Sequence, residues 1–110
     1  MPAMRRSSLL LGLAAVLAAD PGASQDAAHG RELAGTCQVC HGLDGVGTQP
    51  GVPNLAGQPV EYLGKALEDY RDGRREDPQM SIMAENLSDA DIADLSAWYA
   101  EIEVTVTPPE

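Results

Sequence analysis

The chain has 110 residues, 4% of them aromatic with no Phe, and it sets 17 Asp and Glu against 7 Lys and Arg for a formal net charge of −10. That length holds one small domain at most. The acid excess excludes nucleic acid and anionic membrane as partners, because both repel such a surface. The chain opens on Met1 to Ser8 with Arg5 and Arg6, followed by the apolar run Leu9 to Leu17. A charged start and an apolar stretch too short to span a bilayer with ease read as a secretory signal peptide. Small residues before the cut predict removal of residues 1–24 after Ser24, with Ala18 as a second site. The mature chain is then expected in the periplasm with no stable membrane insertion. Residues 25–110 keep 5 Lys and Arg against 16 Asp and Glu, a net charge of −11. A domain of that size without Phe buries little apolar surface and calls for a disulfide, a metal or a cofactor to complete its core.

The first helical stretch runs from Asp26 to Ala34 and places Gly30 and Leu33 on one face, where a glycine lets a second helix cross closely. It leads to Cys37-Gln38-Val39-Cys40-His41, the spacing of c-type haem attachment. Two thiols three positions apart can each form a thioether to a haem vinyl group, while the adjacent His41 is directed at the iron. Two other uses of the motif compete. A redox dithiol of the thioredoxin type follows a strand in a βαβ pattern, and nothing upstream is strand-like. A zinc site needs four ligands, and Cys37, Cys40 and His41 with the distant His29 are an unusual set. The motif lies near the start of the mature chain, which argues against the four-helix-bundle cytochromes, where it lies near the end. His29 is expected on an exposed face of the first helix.

Residues 42–58, rich in Gly and Pro and without helical or strand period, read as a loop wrapped around something. Pro59 suits the first turn of a helix from Val60 towards Tyr70, with Tyr62, Leu63, Ala66, Leu67 and Tyr70 on one face before Gly73 ends it. Arg71, Arg74 and Arg75 with Glu76 and Asp77 form a polar connector, and the segment to Ala84 carries Met80 and Met83. Ser88-Asp89-Ala90-Asp91 is a capping box that opens the last helix, whose apolar stripe is Ile92, Leu95, Trp98, Tyr99 and Ile102. The domain is expected over 25–103, with 104–110 as a tail that the two prolines keep from being helical.

These segments together resemble the bacterial class I c-type cytochromes of the c4 and c553 kind over Gly30 to Ile102. The carriers are Gly30, Leu33, Cys37, Cys40, His41 and Gly42, then Pro53 to Gln58, Tyr62 and Leu63, Met80 and Met83, and Leu87 to Tyr99. The resemblance implies an all-α class I cytochrome c fold of about three to four helices around one covalent haem c. It implies that the first helix crosses the last near Gly30. A Met sulfur is implied as the second axial ligand of iron, and residues 25–110 hold only Met80 and Met83. The family register, anchored on Leu87, selects Met80 and leaves Met83 packed against the haem. It further implies that the Pro53 carbonyl accepts from the His41 imidazole. Tyr62, Tyr70, Trp98 and the three arginines remain open as partners of the haem propionates.

A His and a Met ligand together close the iron to substrate, so the expected function is a periplasmic single-electron carrier and not an enzyme. The rival is a cytochrome c subunit of a larger periplasmic oxidoreductase complex. Its partners are expected to be redox proteins with a basic docking patch, steered by the acidic surface.

Overall fold

The computed structural model describes residues 1–4, 9–15 and 25–110. Both expected cleavage sites, after Ala18 and after Ser24, lie outside the described residues. Five helices follow in chain order: α1 (Ala27–Leu33), α2 (Gln38–His41), α3 (Val60–Arg71), α4 (Met80–Ala84) and α5 (Asp89–Glu101), with a 3-10 turn at Ala34–Thr36 between the first two. Among the described residues there is no strand, and no helix is long and apolar enough to cross a membrane. The count exceeds the expected three to four because α2 and α4 are about one turn each, too short for a hydrophobic period to show.

α5 is the hub and packs against both α1 and α3, while α3 also carries α4. Its start is set by the expected capping box. The Ser88 hydroxyl accepts from Asp91 N at 3.0 Å, and the Asp91 carboxylate accepts from Ser88 N at 3.2 Å. Asp89 and Asp91 also place negative charge at the positive end of the helix dipole. Ile92, Leu95 and Tyr99 are buried as the stripe requires, but so are Asp94, Ser96 and Ala97. Burial runs round the helix because α1 covers one side and α3 another. Ser96 tolerates this position by donating its hydroxyl to Ile92 O at 2.6 Å. On α3 only Leu63 is buried, and Tyr62 is 51% exposed. Tyr62 lies about 100° round the helix from Leu63, at the edge of the apolar stripe and beyond the reach of α5.

The α1–α5 crossing is built on Gly30. A Cβ at that position would lie 1.9 Å from the Asp94 carbonyl oxygen, so any side chain would force the two helices apart. The same Asp94 fastens the start of α1 through its buried carboxylate, which accepts from Asp26 N at 2.8 Å and bonds His29 Nδ1 at 2.7 Å. Asp26 in turn caps α1 by accepting from His29 N at 3.1 Å. His29 is therefore exposed, as expected from the sequence, yet it has a structural partner. Next to the crossing, Ala34, Leu63, Leu95 and Tyr99 form the core cluster, against which Leu33, Cys37, Leu55, Leu67 and Leu87 pack.

The His29–Asp94 pair gives stability a pH dependence. The bond to Asp94 raises the His29 pKa above the ordinary 6.5, and the Asp26 N–H followed by His29 lowers that of Asp94 below the ordinary 3.8. A raised imidazole contributes fully below 6.5 and loses its contribution as pH climbs through its folded value, whereas a depressed carboxyl loses its contribution as pH falls below 3.8. The pair therefore supports the crossing best between those limits. His29→Gln is expected to flatten the decline in thermal midpoint that the native protein shows on the alkaline side of this window, as read by melting across a pH series.

Candidate functional site

The crossing delivers the chain through the 3-10 turn to Cys37, which begins the single turn of α2. His41 N donates to Cys37 O at 2.9 Å and Cys40 N to the same oxygen at 3.3 Å, so one helical turn carries both thiols and the histidine. Cys37 and Cys40 are both half-buried, and His41 is buried at 7% exposure.

His41 Nδ1 lies 2.9 Å from the Pro53 carbonyl oxygen. A carbonyl only accepts, so Nδ1 carries the proton and the lone pair of the neutral ring is on Nε2. The loop over residues 42–58 exists to hold that carbonyl, and its backbone is tied down on both sides. Gly42 has φ +79°, and a Cβ there would lie 2.2 Å from Val46 O, which makes the tight exit from α2 a glycine position. Thr48 N donates to Cys40 O at 2.9 Å, and its hydroxyl donates to Val39 O at 3.0 Å. Gly45 O accepts from Leu55 N at 2.7 Å and from Ala56 N at 3.1 Å, while the Asn54 side chain accepts from Gly47 N at 2.8 Å. Finally Gly57 N donates to Tyr99 O at 2.9 Å and fastens the end of the loop to α5.

Met80 opens α4 and Met83 follows one turn later; both are half-buried, with the exposed Ile82 between them. His41 and Met80 are brought near each other. The zinc alternative is not assembled. His29 is occupied with Asp94, and among the described residues no group of three or more His, Cys, Asp or Glu side chains converges.

Two features escaped the sequence reading. The Asp77-Pro78 segment, read as part of a connector, starts α4. The Tyr99 hydroxyl is buried without a hydrogen-bond partner, and burial raises its pKa. An orphaned hydroxyl beside a half-buried thiol could not be inferred from an aromatic at a stripe position. Of the residues left open as propionate partners, Tyr62 is exposed, while the three arginines, Tyr70 and Trp98 already have neighbours. Arg71 donates to Leu87 O at 3.2 Å and to Asp89 at 2.7 Å, and it pairs with Asp72 at 2.9 Å. Arg74 pairs with Asp69 at 2.8 Å, Arg75 lies 4.7 Å over the Tyr70 ring, and Arg31 lies 5.5 Å over Trp98.

The donor set suits a haem. An imidazole with a fixed tautomer and an available Nε2 stands near a thioether, two thiols lie one turn apart, and a buried hydroxyl without a partner borders one of them. The cytochrome c family profile matches residues 27–102. The chain belongs to the cytochrome c family. It is similar to cytochrome c-554(548) of Halomonas halodenitrificans, 48% identical over 81 residues that cover 71% of this chain and 98% of the relative. It is also similar to cytochrome c4 of Pseudomonas aeruginosa, 43% identical over 84 residues that cover 76% of this chain and 42% of the relative. Reduced recombinant cytochrome c4 from Pseudomonas stutzeri superposes with a TM-score of 0.70 at 34% identity, covering 76% of this chain and 48% of that one. The chain thus spans nearly the whole of the first relative and less than half of either cytochrome c4. It has the class I cytochrome c fold and is an electron-transfer protein with covalent haem c, similar to cytochrome c4 over about half the length of that relative.

The loop that carries the Pro53 carbonyl offers a test of the site. Asn54→Ala removes the acceptor of Gly47 N–H, and the lost bond is expected to cost about 1 kcal/mol of stability. A looser Pro53 carbonyl also weakens the pull on the His41 Nδ1 proton and makes Nε2 a poorer donor. The midpoint potential is therefore expected to rise, as measured by redox titration beside a denaturant melt.

Proposed function

We propose that this cytochrome is an exported one-electron carrier in which Cys37 and Cys40 hold the haem as thioethers and His41 Nε2 and the Met80 sulfur bind the iron. In this reading Pro53 orients His41 and Met83 packs against the haem. Residues 1–24 are the signal peptide, 25–103 the cytochrome domain of the periplasm and 104–110 its tail. The observation that carries the assignment is the bond from His41 Nδ1 to Pro53 O, which presents Nε2 as a ligand in a fixed direction. The placement of Met80 near His41 supports the second ligand.

When bound, the haem supplies a one-electron iron couple. The chain's residues decide how that couple behaves. His41 is held against rotation by Pro53, so its donor direction is the same in both charge states. Met80 offers a soft, weak sulfur that favours the reduced state and raises the potential. With both positions taken by side chains, no site is left for a substrate, and an electron can enter and leave with little movement of the protein.

Partners are met through two kinds of surface. Val39, Leu43 and Val46 around the haem motif and Ile82 beside Met80 are exposed apolar residues. They suit a small, quickly released redox contact. The surrounding acidic surface, net −11 over residues 25–110, suits a partner with a basic docking patch. Nucleic acid has no place in this reading.

The experiment that tests the assignment is mass spectrometry and optical spectroscopy of the purified protein. The denatured mature chain is expected to weigh one haem more than its amino acids. Met80→Ala is expected to abolish the long-wavelength charge-transfer band of the oxidised form, lower the potential and admit CO to the reduced form, while Met83→Leu keeps the band and excludes CO. A bare-chain mass, or a band lost only in the Met83 variant, would refute the assignment. Electrostatic steering is tested separately by the bimolecular electron-transfer rate with a basic partner, which is expected to fall as salt rises and shortens the Debye length to about 8 Å at 0.15 M.

A further inference from the structure

The segment Asp77-Pro78-Gln79-Met80-Ser81 is tied into a closed hydrogen-bonded knot. One oxygen of the Asp77 carboxylate accepts from both Gln79 N and Met80 N, each at 2.9 Å. Asp77 O accepts from Ser81 N at 3.0 Å, and the Ser81 hydroxyl accepts from Asp77 N at 3.1 Å. Asp77 therefore caps the turn that leads into α4, three residues ahead of the helix's first residue. Pro78 follows it, where a fixed φ fits the turn and a missing N–H costs nothing. Met80 comes third after Asp77, and its own amide is one of the two that the carboxylate holds.

This arrangement has a purpose that helix initiation alone does not demand. α4 is only five residues long, Met80–Ala84, and a helix so short is not stable by itself. Its first residue is the proposed iron ligand, a flexible side chain with three rotatable bonds joined by a weak sulfur donor. If the Met80 backbone wandered, the sulfur would spend part of its time away from the iron. The Ser81 hydroxyl closes the knot from the other side, so that residues 77 and 81 hold the methionine backbone between them.

We propose that Asp77 is the positioning residue of the ligand methionine: its carboxylate, through the Met80 amide, would hold the sulfur where it meets the iron and so set how readily an outside ligand displaces it. The proposal rests on the assignment of Met80 as ligand and goes one step beyond it. Asp77 touches neither haem nor iron. Its effect is on the fraction of molecules in which the methionine is detached, and the apparent affinity for a competing ligand is proportional to that fraction.

The test uses the oxidised holoprotein titrated with imidazole, which binds the iron only where Met80 has left it. Loss of an N-cap shifts a local equilibrium by about fivefold. Asp77→Ala is accordingly expected to bind imidazole about fivefold more tightly than the native protein. Asp77→Asn, which keeps an acceptor oxygen in place, is expected to stay near the native affinity. Ser81→Ala is expected to move in the same direction as Asp77→Ala by less, and it serves if Asp77→Ala does not fold. Ser88→Ala, which removes the cap of a different helix, is expected to lower the thermal midpoint and leave imidazole affinity unchanged. Native affinity in both Asp77→Ala and Ser81→Ala overturns the proposal, as does an Asp77→Asn variant that behaves like Asp77→Ala. Met80→Ala separates the two readings. It is expected to bind imidazole most tightly of all and to be indifferent to a second change at Asp77. A Met80→Ala protein with native imidazole affinity shows that the ligand assignment itself is wrong, and the positioning role falls with it.

Discussion

The close approach of Gly30 to the Asp94 carbonyl is the constraint from which the rest of the molecule is laid out. Two helices can come that near only where one has no side chain, and the hydrogen bonds of Asp94 to Asp26 and His29 then prevent sliding or rotation at the contact. α1 leaves the crossing aimed at the 3-10 turn, and a few residues later the chain reaches Cys37 and His41. The opposite side of α5 receives α3, and the Tyr99 carbonyl of α5 receives Gly57 at the end of the loop that presents Pro53. The histidine and the carbonyl that orients it are thus both referred to one helix. A shift of α5 would move them together and leave their bond intact.

The apolar core cannot by itself account for so defined a site. Among the described residues its buried apolar members are Ala34, Leu63, Ala84, Ile92, Leu95, Ala97 and Tyr99, three of them alanines. Burial of that extent is small for a domain of this length. Precision comes instead from polar closure: caps at Asp26, Asp77 and Ser88, backbone bonds across the loop, and the Arg71 bridge from the end of α3 to the start of α5. Each of these is local and directional, which suits a site where ligand angles matter more than bulk stability. The covalent attachment typical of the family fits the same economy, because a group bonded to its protein does not depend on a large pocket for retention.

Legibility in the sequence followed the range of each interaction. The Cys37–His41 motif, the Ser88 capping box and the glycine of the helix crossing were readable because each is a short pattern with a chemical reason attached. The helices α3 and α5 were readable as well, being long enough for a period to emerge, while the all-α fold as a whole came from the family resemblance. Pro53 and Met80 were not readable from the residues alone and came from family resemblance. The bond from His41 to Pro53 joins residues twelve apart through an irregular loop, and no local pattern encodes it. The His29–Asp94 bond spans 65 positions and was missed for the same reason. The Asp77 cap is a different case. Asp-Pro followed by a helix is a legible start signal, but the charged run before it, Arg74 to Glu76, made Asp77 look like the end of a solvated connector. The all-round burial of α5 was illegible in principle, since its polar Asp94 and Ser96 are acceptable inside only because of partners elsewhere in the fold or one turn back along the helix.

The cations have one more consequence. Within residues 25–110 every Lys and Arg is already engaged: Lys65 and Arg74 with Asp69, Arg71 with Asp72 and Asp89, Arg75 over Tyr70 and Arg31 over Trp98. The surplus of carboxylates gives residues 25–110 a net charge of −11, so two copies of the molecule repel each other on average. Electron self-exchange, in which a reduced copy passes its electron to an oxidised copy, is discouraged at low ionic strength, while transfer to an oppositely charged protein is encouraged. A dilute pool of molecules so charged would exchange few electrons among its own members.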